Sequence, residues 1–112
     1  MHRISLDRDP DATLVAASGE LDAFVADELQ SVLGGAAGDA RVVVDLTDVS
    51  FMDSTALGLL VRAVREIDAG GGTVRVVLPN GTARRIFELT TLDRVLPVSE
   101  SRREALSELD GR

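Results

Sequence analysis

An aspartate and two hydroxyls stand side by side at Asp53-Ser54-Thr55, where a connector gives way to apolar residues at helical spacing. The start of a helix offers unpaired backbone N–H groups and the positive end of the helix dipole. A phosphate held there finds donors already aimed at it. Ser54 is therefore suited to carry a phosphoryl group, with Thr55 as second choice. The modification would add about −1.5 to −2 charges beside Asp53 and would repel a partner that packs an apolar or acidic surface on this helix end. The same residues are favoured helix caps, and on spacing alone a plain cap is the simpler reading.

Other chemistries fail for want of residues. A Ser-His-Asp hydrolase needs a histidine base held by the fold, and the only histidine, His2, lies at an end expected to be mobile. With no cysteine and one histidine, a zinc site lacks ligands. Gly70-Gly71-Gly72 is followed by Thr73 and not by Lys and Ser/Thr, so it reads as a helix end and not as a phosphate loop. Asp45 closes an apolar strand, as a phospho-accepting receiver aspartate would. All twelve basic residues are arginine, however, and a receiver needs a lysine. Asp45 is better read as a strand-end carboxylate bonding to nearby turn amides. The acidic groups Glu20/Asp22 and Asp45/Asp48/Asp53 lack an ordered cation-binding loop, and solvated acids are the expectation. No catalytic residue, metal or cofactor is expected, and the chain does not read as an enzyme.

The elements that must position Ser54 follow from periodicity and punctuation. Arg3 to Asp7 and Thr13 to Ser18 read as two strands joined by the turn Asp9-Pro10-Asp11. Asp22 is placed to cap a helix whose apolar positions are Phe24, Val25, Leu29, Val32 and Leu33, stopped by Gly34-Gly35. Val42 to Leu46 is a β-branched run fit for a central strand covered on both faces. Thr47 to Asp53 then reads as a connector, with Phe51 pointing inward and Met52 lining a contact surface. Leu57, Leu60, Val61, Val64 and Ile67 form the core stripe of the helix that begins near Ser54. A strand over Thr73 to Leu78, a turn at Pro79-Asn80-Gly81 and a short helix over Thr82 to Leu89 follow. After a mixed segment, Leu92 to Val98, comes a helix from Ser101 to Leu109. Ser101 and Glu104 are spaced there as a capping box, and Arg102-Arg103 reads as a solvated face. Strand-helix alternation of this kind predicts an α/β fold, a mixed, mostly parallel sheet of four to five strands packed by about four helices.

The composition narrows the partners. A chain of 112 residues fits one domain, 1–112. A net charge of −7 with no basic tract argues against nucleic acid, and 3% aromatic content leaves few stacking platforms. No apolar run approaches the ~20 residues of a membrane span. The first residues lack a secretory h-region. With cysteine absent as well, a cytoplasmic protein with no membrane partner is expected.

Four segments, in order and nearly spanning the chain, resemble one family. Phe51-Met52-Asp53-Ser54-Thr55-Ala56-Leu57-Gly58 is similar to the M/L-D-S-S/T-G-L-G signature of STAS-domain anti-sigma factor antagonists. Gly19-Glu20-Leu21-Asp22 matches the G-E-L-D of that family. Val43-Val44-Asp45-Leu46 with Val49-Ser50-Phe51 matches its core strand and exit, and Arg85 to Val95 resembles its R-I-F/L-x-L-T-G-L-x-x-V stretch. The resemblance implies a single STAS-type domain acting in partner switching, of the kind used in stress-response or sporulation signalling. It implies that Ser54 is phosphorylated by an anti-sigma factor that is also a serine kinase and brings its own ATP. The unphosphorylated form would bind that kinase and free the sigma factor; a protein phosphatase would reset the switch. Gly19, Glu20, Leu21, Asp22, Met52, Asp53, Ser54, Thr55, Leu57 and Gly58 would make the partner-binding face. Ala56 and Thr91 stand where the family has glycine, and Val25 where threonine is common. Two other uses of such a domain remain open: a constitutive scaffold module with Ser54 as a cap, and a small-molecule sensor.

Overall fold

The computed structural model describes residues 1–110, so the last two positions of the expected 1–112 domain lie outside the described residues. β1 (His2–Arg8) and β2 (Thr13–Leu21) form an antiparallel hairpin, closed by a 3.0 Å bond from Asp9 N–H to the Ala12 carbonyl. A one-turn 3-10 helix (Ala23–Val25) runs into α1 (Ala26–Gly35). Then come β3 (Arg41–Met52), α2 (Ser54–Ala69), β4 (Thr73–Val77) and α3 (Thr82–Leu89). A second short turn (Leu92–Arg94), β5 (Val98–Ser99) and α4 (Arg102–Leu109) complete the order. The strands lie side by side as β1-β2-β3-β4-β5, and every pairing after the first is parallel. This is the expected α/β architecture, with five strands and four helices.

Alternation along the strands makes two unequal cores. Val15, Val42, Val44, Leu46 and Val76 face one side, where Leu29 and Leu33 of α1, Leu57, Leu60, Val64 and Ile67 of α2, and Phe87 of α3 cover them. All the expected stripe of α2 is buried except Val61, which packs on the core's margin. The other side is small: Ala12, Val43 and Val77 meet Ala105 and Leu109 of α4, with Leu14 and Leu106 beside them. So little apolar area leaves polar links a large part in docking α4. Arg102 Nε donates to Asp45 Oδ2, Arg75 pairs with Glu108 at 3.0 Å, and Arg41 with Asp110 at 2.8 Å. Arg102 and Arg103 are exposed, as expected of a solvated face, and Arg102 in addition meets Asp45, which β3 turns toward it. Asp45 also accepts from the Thr47 N–H at 2.9 Å and from the Thr47 hydroxyl, as a strand-end carboxylate should. Burial alone would raise the Asp45 pKa, but the Thr47 and Arg102 bonds outweigh it and hold the carboxyl below its ordinary value. At the start of α4, Ser101 Oγ accepts from Glu104 N–H at 3.1 Å, while Glu104 reaches back to Glu100 N–H at 3.0 Å.

Several local expectations fail for physical reasons. Thr47 to Met52 is not a connector but the second half of β3, because β2 also runs on to Leu21 and supplies a partner. Two register shifts lie in that pairing, between Ala16 and Ser18 and between Gly19 and Glu20. Each leaves an extra residue on β3, the second of them Ser50. An extra residue inverts side-chain parity beyond it. Met52 is consequently buried at 3% exposure, and Phe51, expected inward, is 46% exposed. Phe24 falls in the 3-10 turn before α1 and not on its apolar stripe, and is 98% exposed. His2, expected to be mobile, sits in β1 opposite Gly19, its Nε2 2.7 Å from Glu28 Oε1. The glycines expected to stop α1 form its last two residues, and Ala36 closes it.

Candidate functional site

The parallel arrangement brings the C-terminal ends of β2 and β3 together, and with them the starts of the 3-10 turn and of α2. Glu20 pairs with Phe51 and Leu21 with Met52 in the last rungs of the sheet. One more backbone bond, Asp53 N–H to the Leu21 carbonyl at 3.1 Å, carries the pairing past the strand end.

Asp53 then joins the two segments through its side chain. Its extended backbone makes it the N-cap of α2, and Oδ1 accepts from Ala56 N–H at 3.0 Å. Oδ2 accepts from Ala23 N–H, also at 3.0 Å, and so holds the 3-10 turn against the helix start. Asp22 caps that turn in its own right, accepting from Phe24 N–H at 3.0 Å. Two carboxylates thus fix the backbone on either side of Ala23.

Ser54 is the first residue of α2 and is exposed. Among the described residues its hydroxyl enters no hydrogen bond, because the cap position is occupied by Asp53. The capping role that spacing allowed to any of three residues falls on the aspartate alone. Thr55, next along, is also exposed. Gly58 lies one turn further on, exposed, with nothing within 4 Å of where a Cβ would stand.

The ten residues expected on a partner face divide into two layers. Glu20, Ser54, Thr55 and Gly58 are exposed, and Asp22, Asp53 and Gly19 are half-buried. Leu21, Met52 and Leu57 are buried and form the floor beneath them. Gly19 is needed for shape: its φ is +81°, and an added Cβ would lie 1.9 Å from the Met1 carbonyl oxygen. Phe24 and Phe51 were not expected on this surface. The signal for Phe51, a bulge inside a strand, cannot be read from alternation; that for Phe24 lies in Asp22 capping a short turn and not α1 itself.

Among the described residues no group of three or more His, Cys, Asp or Glu is placed to hold a metal ion, and no helix is long and apolar enough to cross a membrane.

Comparison with known proteins agrees with this geometry. A family model described as STAS domain matches residues 3–105. An anti-sigma-B factor antagonist of Staphylococcus aureus is 33% identical over 88 residues, covering 77% of this chain and 82% of its own. A homologue of an anti-sigma factor antagonist in Thermotoga neapolitana is 33% identical over 72 residues; the chain spans 64% of that protein's length. The crystal structure of an anti-sigma factor antagonist from Mycobacterium paratuberculosis superposes with a TM-score of 0.87 at 26% identity, over 98% of this chain and 95% of that one.

Proposed function

Because the chain belongs to the STAS-domain family of anti-sigma factor antagonists, we propose that it is the phosphorylation-controlled member of a partner switch, with Ser54 as the phosphoryl acceptor. STAS domains are regulatory units, and here the chemistry would come from the partner. An anti-sigma factor with serine kinase activity would bind the unphosphorylated form, release its sigma factor, and in time transfer the γ-phosphoryl group of ATP to Ser54 Oγ. A protein phosphatase would restore the hydroxyl.

The observation that carries this reading is the division of labour at the helix start. Asp53 satisfies α2 and ties down the neighbouring turn, while the Ser54 hydroxyl projects unused into solvent. A serine kept only as a cap would be bonded to the N–H two or three residues on. The exposed position lets a kinase approach without unfolding anything, and modification costs the fold no existing bond.

Release follows from charge. Ser54 already neighbours Asp53, with Glu20 and Asp22 on the adjoining segment. A kinase must bring the γ-phosphate of its nucleotide up to Ser54, so the phosphorylated serine would face the remaining nucleotide phosphates at close range. Two like charges brought together in a partly dry interface repel by several times what they would in water.

The test is a pull-down from native lysate with wild type and Ser54→Asp as baits, read by mass spectrometry. An ATP-binding kinase held by wild type, lost with Ser54→Asp and able to phosphorylate wild type but not Ser54→Ala is the expected result. Equal recovery on both baits would replace the switch with a constitutive scaffold.

A further inference from the structure

The chain has three phenylalanines and no tyrosine or tryptophan. Phe87 is fully buried in the main core. The other two are exposed, and both lie at the same end of the sheet. Phe51 occupies the rung beside Glu20, and Phe24 follows Ala23, whose N–H is held by Asp53. A fold this poor in aromatics leaves two of its three outside the core, at the one place where Ser54 also emerges.

Phe24 is the more telling of the pair. Its side chain is 98% exposed, yet its backbone is pinned by the Asp22 carboxylate at Phe24 N–H and by Asp53 one residue earlier. A large apolar side chain on a pre-set backbone has little ordering entropy left to lose when it is buried by a partner. The residues that flank it along the chain or hold its segment are acidic: Glu20, Asp22, Asp27 and Asp53. Among the described residues none of these four takes part in an ion pair, so their charge stands unneutralised beside Phe24. An occupant that carries basic side chains complements this rim.

We propose that Phe24 is the anchor of the interface, seated in an apolar pocket of the protein partner that is bordered by arginine or lysine side chains. This rests on the partner-switch reading above and names the chemistry of the surface the anti-sigma factor kinase presents. The basic border speeds encounter and sets orientation, and the pocket supplies the tight contact. Phe51, half-exposed beside Glu20, adds apolar area at the margin.

The experiment uses the full chain and the purified anti-sigma factor kinase, with affinity measured by titration calorimetry at low and high salt. Phe24→Ala is expected to weaken binding by ~30-fold or more, the range of an interface hot spot. Its melting temperature should match wild type, since the side chain touches little of its own fold. Phe24→Leu should recover much of the loss, and wild-type affinity should fall as salt rises. Phe24→Ala binding as tightly as wild type, or wild-type affinity indifferent to salt, would overturn the inference and leave the switch standing. Self-association of the wild type in sedimentation, lost in Phe24→Ala, would overturn it by making a second copy the occupant. Failure of the wild type to bind the kinase at any salt would overturn the switch reading itself, and the inference with it.

Discussion

Replacing Asp53 with alanine should destabilise the protein, while replacing its neighbour Ser54 should not. Asp53→Ala removes the Oδ1 bond to Ala56 N–H and the Oδ2 bond to Ala23 N–H, each 3.0 Å long. Loss of an aspartate N-cap costs about 1 kcal/mol. A further bond from a charged acceptor to an accessible amide adds roughly the same. The sum, about 2 kcal/mol, corresponds to a fall in Tm of roughly 6–10 °C for a domain of this length. Asp53→Asn should lose about half as much. Its amide oxygen can still cap α2, but its NH2 would then face the Ala23 N–H, donor against donor. Ser54→Ala removes a hydroxyl that bonds to nothing in the fold and should stay within about 0.5 kcal/mol of wild type. The assay is thermal and urea unfolding of all four proteins, with hydrogen exchange at Ala23 and Ala56 as a local readout. If Ser54→Ala cost as much as Asp53→Ala, the serine would be the cap, and the argument that its hydroxyl is spare would be refuted.

Three further outcomes follow from other contacts. Gly58→Ala should stabilise the free protein by roughly 0.5–1 kcal/mol, since the position is helical, exposed and open around a Cβ; urea unfolding at unchanged m checks it, and a loss would mean the helix needs glycine there. Gly19→Ala should cost at least ~1–2 kcal/mol, because a φ of +81° and a Cβ 1.9 Å from the Met1 carbonyl oxygen force β1 away; early hydrogen exchange across the β1–β2 rungs is the expected signature. Asp45 has a lowered pKa in the folded chain, so its contribution is full above the unfolded value of about 3.9 and is lost as pH falls through the folded one. The stability gap between wild type and Asp45→Asn, on the order of 1–2 kcal/mol, should therefore be flat near neutral pH and close in acid. A gap that widened in acid would show that Arg102 does not need a charged partner.

Much of the architecture was legible because its signals are local and repeated. The valine run of β3, the apolar stripe of α2 and the punctuation between them each point to one element type, and their alternation leaves few topologies. What escaped depends on pairings between distant segments. That β2 reaches Leu21 and β3 reaches Met52 is decided by each being the other's partner, and no pattern within either reveals it. The pairing of exposed Arg102 with Asp45 escaped because the aspartate lies 57 residues earlier. The site was legible as residue types at Asp53-Ser54-Thr55, but not as roles, since all three are good caps and only geometry shows which one is bonded.

The two bulges in β3 tie these points together. Were Ser50 paired as a regular rung and not bulged, simple alternation from buried Val49 would put Phe51 inward and Met52 outward. The inversion sends the flexible methionine into the core and the rigid aromatic to the surface. It also sets the strand exit so that Asp53 reaches both Ala23 and Ala56. A bulge weakens the ladder where it occurs, and such irregularities concentrate where a fold must aim a side chain. Here the aimed residues are the spare hydroxyl of Ser54, the aspartate that relieves it of capping, and an aromatic beside them. Deleting Ser50 should close the bulge into plain alternation, Val49 inward, Phe51 outward and Met52 inward, so the facing of the site is kept. The expected result is a chain that keeps its sheet by circular dichroism and keeps binding to the kinase and phosphorylation at Ser54. If ΔSer50 kept its sheet but lost both, the facing of Phe51 and Met52 would not be what the bulge contributes to the site.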